Sequence, residues 1–79
     1  MKLYEFLALG DDQQYQAVWD KGVHIDNIIF EKVHYQLYSI NDFYVEIQYD
    51  ALSNKLIGKQ PFKQGQHLDK YLRGRLPTL

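Results

Sequence analysis

The chain contains no cysteine, and only two prolines and five glycines. Without thiols it can form no disulfide and offer no thiolate to a metal, which fits a reducing compartment. It also lacks a long apolar run. A bilayer-crossing helix needs about 20 such residues, and the stretches here are far shorter, so none is expected. The start reads Met1-Lys2-Leu3-Tyr4-Glu5-Phe6-Leu7-Ala8-Leu9. Glu5 interrupts what would be the apolar region of a secretion signal. The expectation is a cytoplasmic protein with no membrane association. No repeat period or low-complexity segment is present. Also missing are a glycine-rich phosphate loop and a dinucleotide-binding fingerprint.

Aromatic side chains are what the sequence has in quantity: seven Tyr, four Phe and one Trp in 79 residues. A chain of this length closes a single core and needs that core to be efficient. Aromatics bury a large area each, so they are expected to supply much of it.

The net charge of −1 conceals a division. Residues 1–50 carry three lysines against nine carboxylates. Residues 51–79 carry six bases against Asp69 alone. An acidic body is joined to a basic tail.

Two helices open the chain. Leu3, Phe6 and Leu7 share one helical face, which predicts a short helix over 2–9 that must lean on the rest of the fold. Gly10 breaks it. Asp11, with Gln14 three residues on, reads as the N-cap of a second helix over 12–21. Tyr15, Val18 and Trp19 form its apolar face, and Lys21-Gly22 ends it.

Beyond Gly22 the period changes to that of strands, over residues 23–62. The runs 33–40 and 43–50 flank Asn41-Asp42, two residue types that tolerate positive φ in a tight turn. This fixes a register. Ile40, Tyr38, Gln36 and His34 face Phe43, Val45, Ile47 and Tyr49 on one mostly apolar side. Ser39, Leu37 and Tyr35 face Tyr44, Glu46 and Gln48 on a mixed side. Residues 50–55 read as a longer hairpin loop. Pro61 places the last strand at an edge. An irregularity is expected near Asp26-Asn27, where alternation fails. Leu68, Tyr71, Leu72 and Leu76 predict a terminal helix over 66–75. The expected fold is a single α+β domain: two helices, a three- or four-stranded antiparallel meander and a short C-terminal helix. Its core is expected to hold Phe6, Val18, Trp19, Tyr38, Ile40, Phe43, Val45, Ile47 and Leu72.

Catalysis finds little support. Ser39 and Ser53 lie in strand and turn settings with no activating base, and Glu46 and Asp50 are expected on the solvent side of a strand. No catalytic residue and no cofactor is assigned. His24 and His34 could neighbour each other on adjacent strands, with Asp26 or Asp50 adding oxygen. Nothing in their spacing demands a metal, and a hydrogen-bonded structural imidazole is the expected role of His34.

Two surfaces remain. Tyr35, Leu37 and Tyr44 share the mixed face, where aromatics rimmed by Glu46 and Gln48 make a candidate protein interface if no other segment covers them. Lys59, Lys63, Lys70, Arg73 and Arg75 make a candidate anion or nucleic-acid contact. The competing expectation is that the bases complement the dipole at the C-terminal end of their own helix, and that this segment folds back on the acidic body.

The segments Leu3-Tyr4-Glu5-Phe6, Val18-Trp19-Asp20-Lys21-Gly22-Val23, Tyr35-Gln36-Leu37-Tyr38 and Phe43-Tyr44-Val45-Glu46-Ile47 together resemble a group of short bacterial single-domain proteins, over residues 3–62. That resemblance implies helices followed by a β-meander in a bacterial cytoplasmic protein, and carries no function or site. The sequence thus leads to a small non-catalytic protein-interaction or regulatory module, with an unidentified protein or a second copy as partner. The alternative is a nucleic-acid accessory protein acting through the basic segment.

Overall fold

A computed structural model of the chain describes residues 1–63 and residue 71. Helices α1 (Leu3–Leu7) and α2 (Asp11–Lys21) precede four strands, β1 (Val23–Phe30), β2 (Val33–Ile40), β3 (Phe43–Asp50) and β4 (Leu56–Phe62). The strands form one antiparallel sheet in the order β1-β2-β3-β4. The fold is therefore α+β with a β-meander. The helix expected over 66–75 lies outside the described residues, apart from Tyr71.

Local chemistry explains each boundary. The Lys2 amide donates to Glu5 Oε1 at 2.7 Å and closes the start of α1. Gly10, not Asp11, is the N-cap of α2, and its amide donates to Gln13 Oε1 at 3.2 Å. Asp11 and Asp12 thus fall in the first helical turn, where the helix dipole favours negative charge. At the other end the Gly22 amide donates to the Val18 carbonyl at 2.9 Å. A Cβ on Gly22 would lie 2.5 Å from that carbonyl and 3.4 Å from Tyr38, so the close passage from α2 into β1 requires glycine.

The β2–β3 register is the one that the alternation predicts, from Ile40 opposite Phe43 to His34 opposite Tyr49. Asn41 takes φ 54° in the turn. The β1–β2 turn is tighter on its residues. Glu31 and Lys32 both adopt positive φ, 48° and 69°, as a type I′ hairpin requires, yet neither is Gly, Asn or Asp. In β1 the register shifts between His24 and Asp26, one residue earlier than expected, and leaves Ile25 as the extra residue. A second shift, at Gln48/Tyr49, leaves Ile57 extra on β4.

The sheet has two covered faces. On one, α1 and α2 pack Phe6, Ala17 and Val18 against Ile40, Phe43, Val45 and Ile47. Phe6 and Phe43 meet at 5.5 Å between ring centroids. Six of the expected core residues are here, all buried. Trp19 is not among them. It remains 46% exposed at the rim, stacked on Tyr15 at 6.4 Å and edge-on to Tyr38 at 5.7 Å. Tyr38 is half-buried beside the core, and Leu72 lies outside the described residues. The second face carries its own small cluster of Leu37, Phe62 and Tyr71, with Ile28, Tyr35 and Tyr44 packed against it.

No helix among the described residues is long and apolar enough to cross a membrane.

Candidate functional site

The site is built on the face opposite the helices. Pairing places Leu37 opposite Glu46 and Tyr35 opposite Gln48. It also places Tyr44 opposite Phe62 and Glu46 opposite Gln60. Residues paired in this way project to the same side of a sheet. Three adjacent strands therefore contribute to a single patch. Tyr44 stacks on Phe62 with centroids 5.6 Å apart and makes one aromatic wall.

Tyr71 lies on this patch and is 3% exposed. It packs against Leu37 and Phe62. Its hydroxyl donates to Glu46 Oε2 at 2.9 Å, and Gln48 Nε2 donates to Glu46 Oε1 at 2.9 Å. Glu46 is 1% exposed, the sole charged residue in the buried set of the described residues. Expected as a solvating carboxylate on the outer face, it instead forms the polar floor of an aromatic slot. A buried carboxyl group is tolerated where donors reach its oxygens, and here the donors come from β3 itself and from 25 residues further along the chain. Burial pushes the Tyr71 hydroxyl well above the ordinary phenol range, and the adjacent Glu46 adds to the shift.

The candidate interface of Tyr35, Leu37 and Tyr44 is thus brought together on one face, as the register predicts. Leu37 is 2% exposed beneath Tyr71, while Tyr35 and Tyr44 are half-buried around it. The covering group comes from the C-terminal segment, not from the N-terminal helix. No feature local to Tyr71 signals this. The available clue was a carboxylate flanked by Tyr44, Val45, Ile47 and Tyr49, in a strand with little other polarity.

The basic candidates divide. Lys59 pairs with Ile47 and therefore sits on the helix side of the sheet. Its ammonium forms an ion pair with Asp11 and lies 4.2 Å from the centroid of the Tyr15 ring. Its side chain is only 9% exposed, against 75% for Asp11. Lys63 pairs with Asp42 at 3.2 Å, with both side chains more than half exposed. In both pairs a cation from the basic end of the sequence meets a carboxylate of the acidic body. Lys70, Arg73 and Arg75 lie outside the described residues.

The two strand histidines are not neighbours. His24 is opposite Tyr38 and His34 opposite Ile29, near opposite ends of the β1–β2 ladder. The His24 ring meets Tyr38 at 5.3 Å, and the His34 ring lies 6.2 Å from Tyr49. The expected hydrogen bond is missing at His34: its buried Nε2 has no partner among the described residues. The described residues contain no group of three or more His, Cys, Asp or Glu able to hold a metal ion.

No family model matches the chain, and no curated protein and no solved structure matches it. The likeness to short bacterial proteins gains no support from these comparisons.

Proposed function

We propose that the protein is a non-catalytic interaction module whose β2–β3–β4 face recognises an aromatic side chain presented by a polypeptide segment. One observation carries this reading. A buried carboxyl group, Glu46, receives the hydroxyl of a tyrosine seated between Leu37 and Phe62. The slot combines what selective recognition needs: apolar walls that supply contact area, and a fixed acceptor that rewards a hydroxyl at one position. Tyr71 fills it from within the same chain. A partner's tyrosine would take the same place when the C-terminal segment is displaced. A module of this kind acts by exchanging an internal occupant for an external one.

The nucleic-acid alternative rests on the remaining cations. Lys59 faces Asp11 and Tyr15, and Lys63 faces Asp42. Both charges are thereby partly neutralised for a phosphate partner, so the interaction reading is preferred.

The test uses the full chain carrying Tyr71→Ala and a labelled peptide of residues 64–79. The peptide is expected to bind the variant saturably and the wild type at least about tenfold more weakly, because an internal occupant competes at high effective concentration. A peptide with phenylalanine at the position of Tyr71 should bind less well. Equal binding to variant and wild type, or none to either, would overturn the proposal.

A further inference from the structure

We infer that the β1 edge of the sheet is a pairing surface for a second copy of this chain, joined antiparallel about a two-fold axis at Asn27. An edge strand is a ready template for another strand unless something blocks it. The two edges of this sheet differ in that respect. β4 carries Pro61, which cannot donate to a ladder, and an inward-held Lys59, while both edge strands carry a bulge, at Ile57 and at Ile25. β1 has neither proline nor lysine. Among the described residues it pairs with β2 on one side and with no strand on the other.

β1 also exposes apolar side chains that the fold leaves in water. Val23 is 65% exposed, Ile25 47%, Ile29 68% and Phe30 58%. Asn27 lies opposite Gln36, and its amide is held by the adjacent Asp26 Oδ1 at 2.8 Å, a local contact that opens when the amide joins an intermolecular ladder.

A second copy fits this edge better than an arbitrary strand, because one register satisfies both chemistry and facing. With Asn27 opposite its own counterpart, Ile28 meets Asp26 of the other copy. The bulge at Ile25 then carries the pairing so that Ile29 meets the His24–Ile25 pair and Phe30 meets Val23. Each pair lies on one face of the sheet, as the intramolecular register assigns them. All four exposed apolar residues gain an apolar neighbour, and the two Asp26 carboxylates do not face each other. The same register brings Glu31 of each copy to the Lys21–Gly22 end of the other, an acid beside a base. Such mutual matching under one two-fold operation is what a closed dimer interface requires. The result is a continuous eight-stranded sheet whose seam lies on β1, two strands from Glu46 on β3.

The absence of native cysteine makes a clean test possible. In the full chain, Asn27→Cys places two thiols across the proposed axis, within the separation that a disulfide spans. Leu52→Cys, at a residue 86% exposed in the 50–55 loop, is the control. Under mild oxidation Asn27→Cys is expected to cross-link at least about tenfold faster than Leu52→Cys, since proximity accelerates the step. Adding Ile29→Lys, at an exposed position outside the core, should abolish the difference while circular dichroism stays unchanged. Equal rates for the two single variants, or a fast Asn27→Cys reaction that survives Ile29→Lys, would overturn the proposal. Neither result bears on peptide binding at the slot.

Discussion

The hydroxyl of Tyr71 donates to Oε2 of Glu46 across 2.9 Å, and this bond ties the C-terminal part of the chain to the middle of β3. Both residues are almost completely buried. A hydrogen bond to a buried carboxyl group is expensive to leave unmade, so Tyr71→Phe should lower stability by about 1–3 kcal/mol in urea melts. Glu46→Gln keeps an acceptor at the same place and should cost less than Glu46→Ala. A double-mutant cycle over the pair should give a coupling of about 1 kcal/mol or more. Additivity of the two changes would show that the bond contributes nothing.

The helix-side core should behave differently at its centre and at its rim. Ile47 is fully buried, and Ile47→Ala should cost about 2–5 kcal/mol through lost contacts and the cavity left behind. Trp19 is 46% exposed, and its ring contacts with Tyr15 and Tyr38 support a smaller loss of about 1–2 kcal/mol for Trp19→Ala. Thermal melts that rank Trp19→Ala as the more damaging change would contradict this placement.

Much of the sheet was legible in the sequence because period-2 alternation fixes the faces once a turn is located. Asn41-Asp42 located it, and the four pairs of the mostly apolar face, from Ile40/Phe43 to His34/Tyr49, followed. Trp19 was misread because helical spacing identifies a face and not how far that face reaches over the sheet. Glu46 was misread for a different reason. Alternation assigns it to the outer face correctly, but whether that face is wet depends on Tyr71, which is remote in sequence and has no local pattern pointing to β3. The candidate site was therefore half visible: Tyr35, Leu37 and Tyr44 could be grouped, while the group that covers them could not.

The β1–β2 turn offers a stabilising change. Glu31 and Lys32 hold a left-handed backbone that costs an L-residue roughly 1–2 kcal/mol where no Gly or Asn relieves it. The pair Glu31→Asn with Lys32→Gly supplies the residues preferred in this turn and should raise stability by about 0.5–2 kcal/mol. A lower melting temperature for the double variant would show that the two native side chains hold the turn by contacts of their own.

Titration should separate two groups of residues. The Ser53 amide, followed by that of Leu52, donates to Asp50 and holds its carboxyl below the usual value. A carboxyl lowered on folding adds stability that is fully present above its unfolded pKa of about 3.9 and is lost as pH falls through the folded value. Wild type and Asp50→Asn should therefore differ at neutral pH and converge in strong acid. The phenols shift the other way. Burial raises Tyr38, Tyr49 and Tyr71, with Glu46 adding to the rise at Tyr71. Their contribution is present below about pH 10 and is lost as pH rises through the folded values. Alkaline titration of tyrosinate absorbance should show Tyr71 ionising only as the fold opens, and a Tyr71→Phe variant should lack that late step.

Lys59 should prove more important than its charge partner. Its stem and ammonium are covered by Tyr15 and the sheet, whereas Asp11 is largely in water. Lys59→Ala should cost about 1–2 kcal/mol, and Asp11→Asn less than about 1 kcal/mol, with only a weak dependence on salt for the first. Equal losses would place the stabilisation in the ion pair alone.

A recognition slot for an aromatic side chain on the face around Glu46 must report its occupant at the residues that line it. The most direct measurement is a residue-resolved NMR shift map of the full-length Tyr71→Ala chain, titrated with the 64–79 peptide. Saturating shifts are expected, centred on Leu37, Tyr44, Glu46, Gln48 and Phe62, and absent when Glu46→Ala is added. Shifts centred instead on α2, or spread evenly over the acidic body and erased by moderate salt, would contradict it.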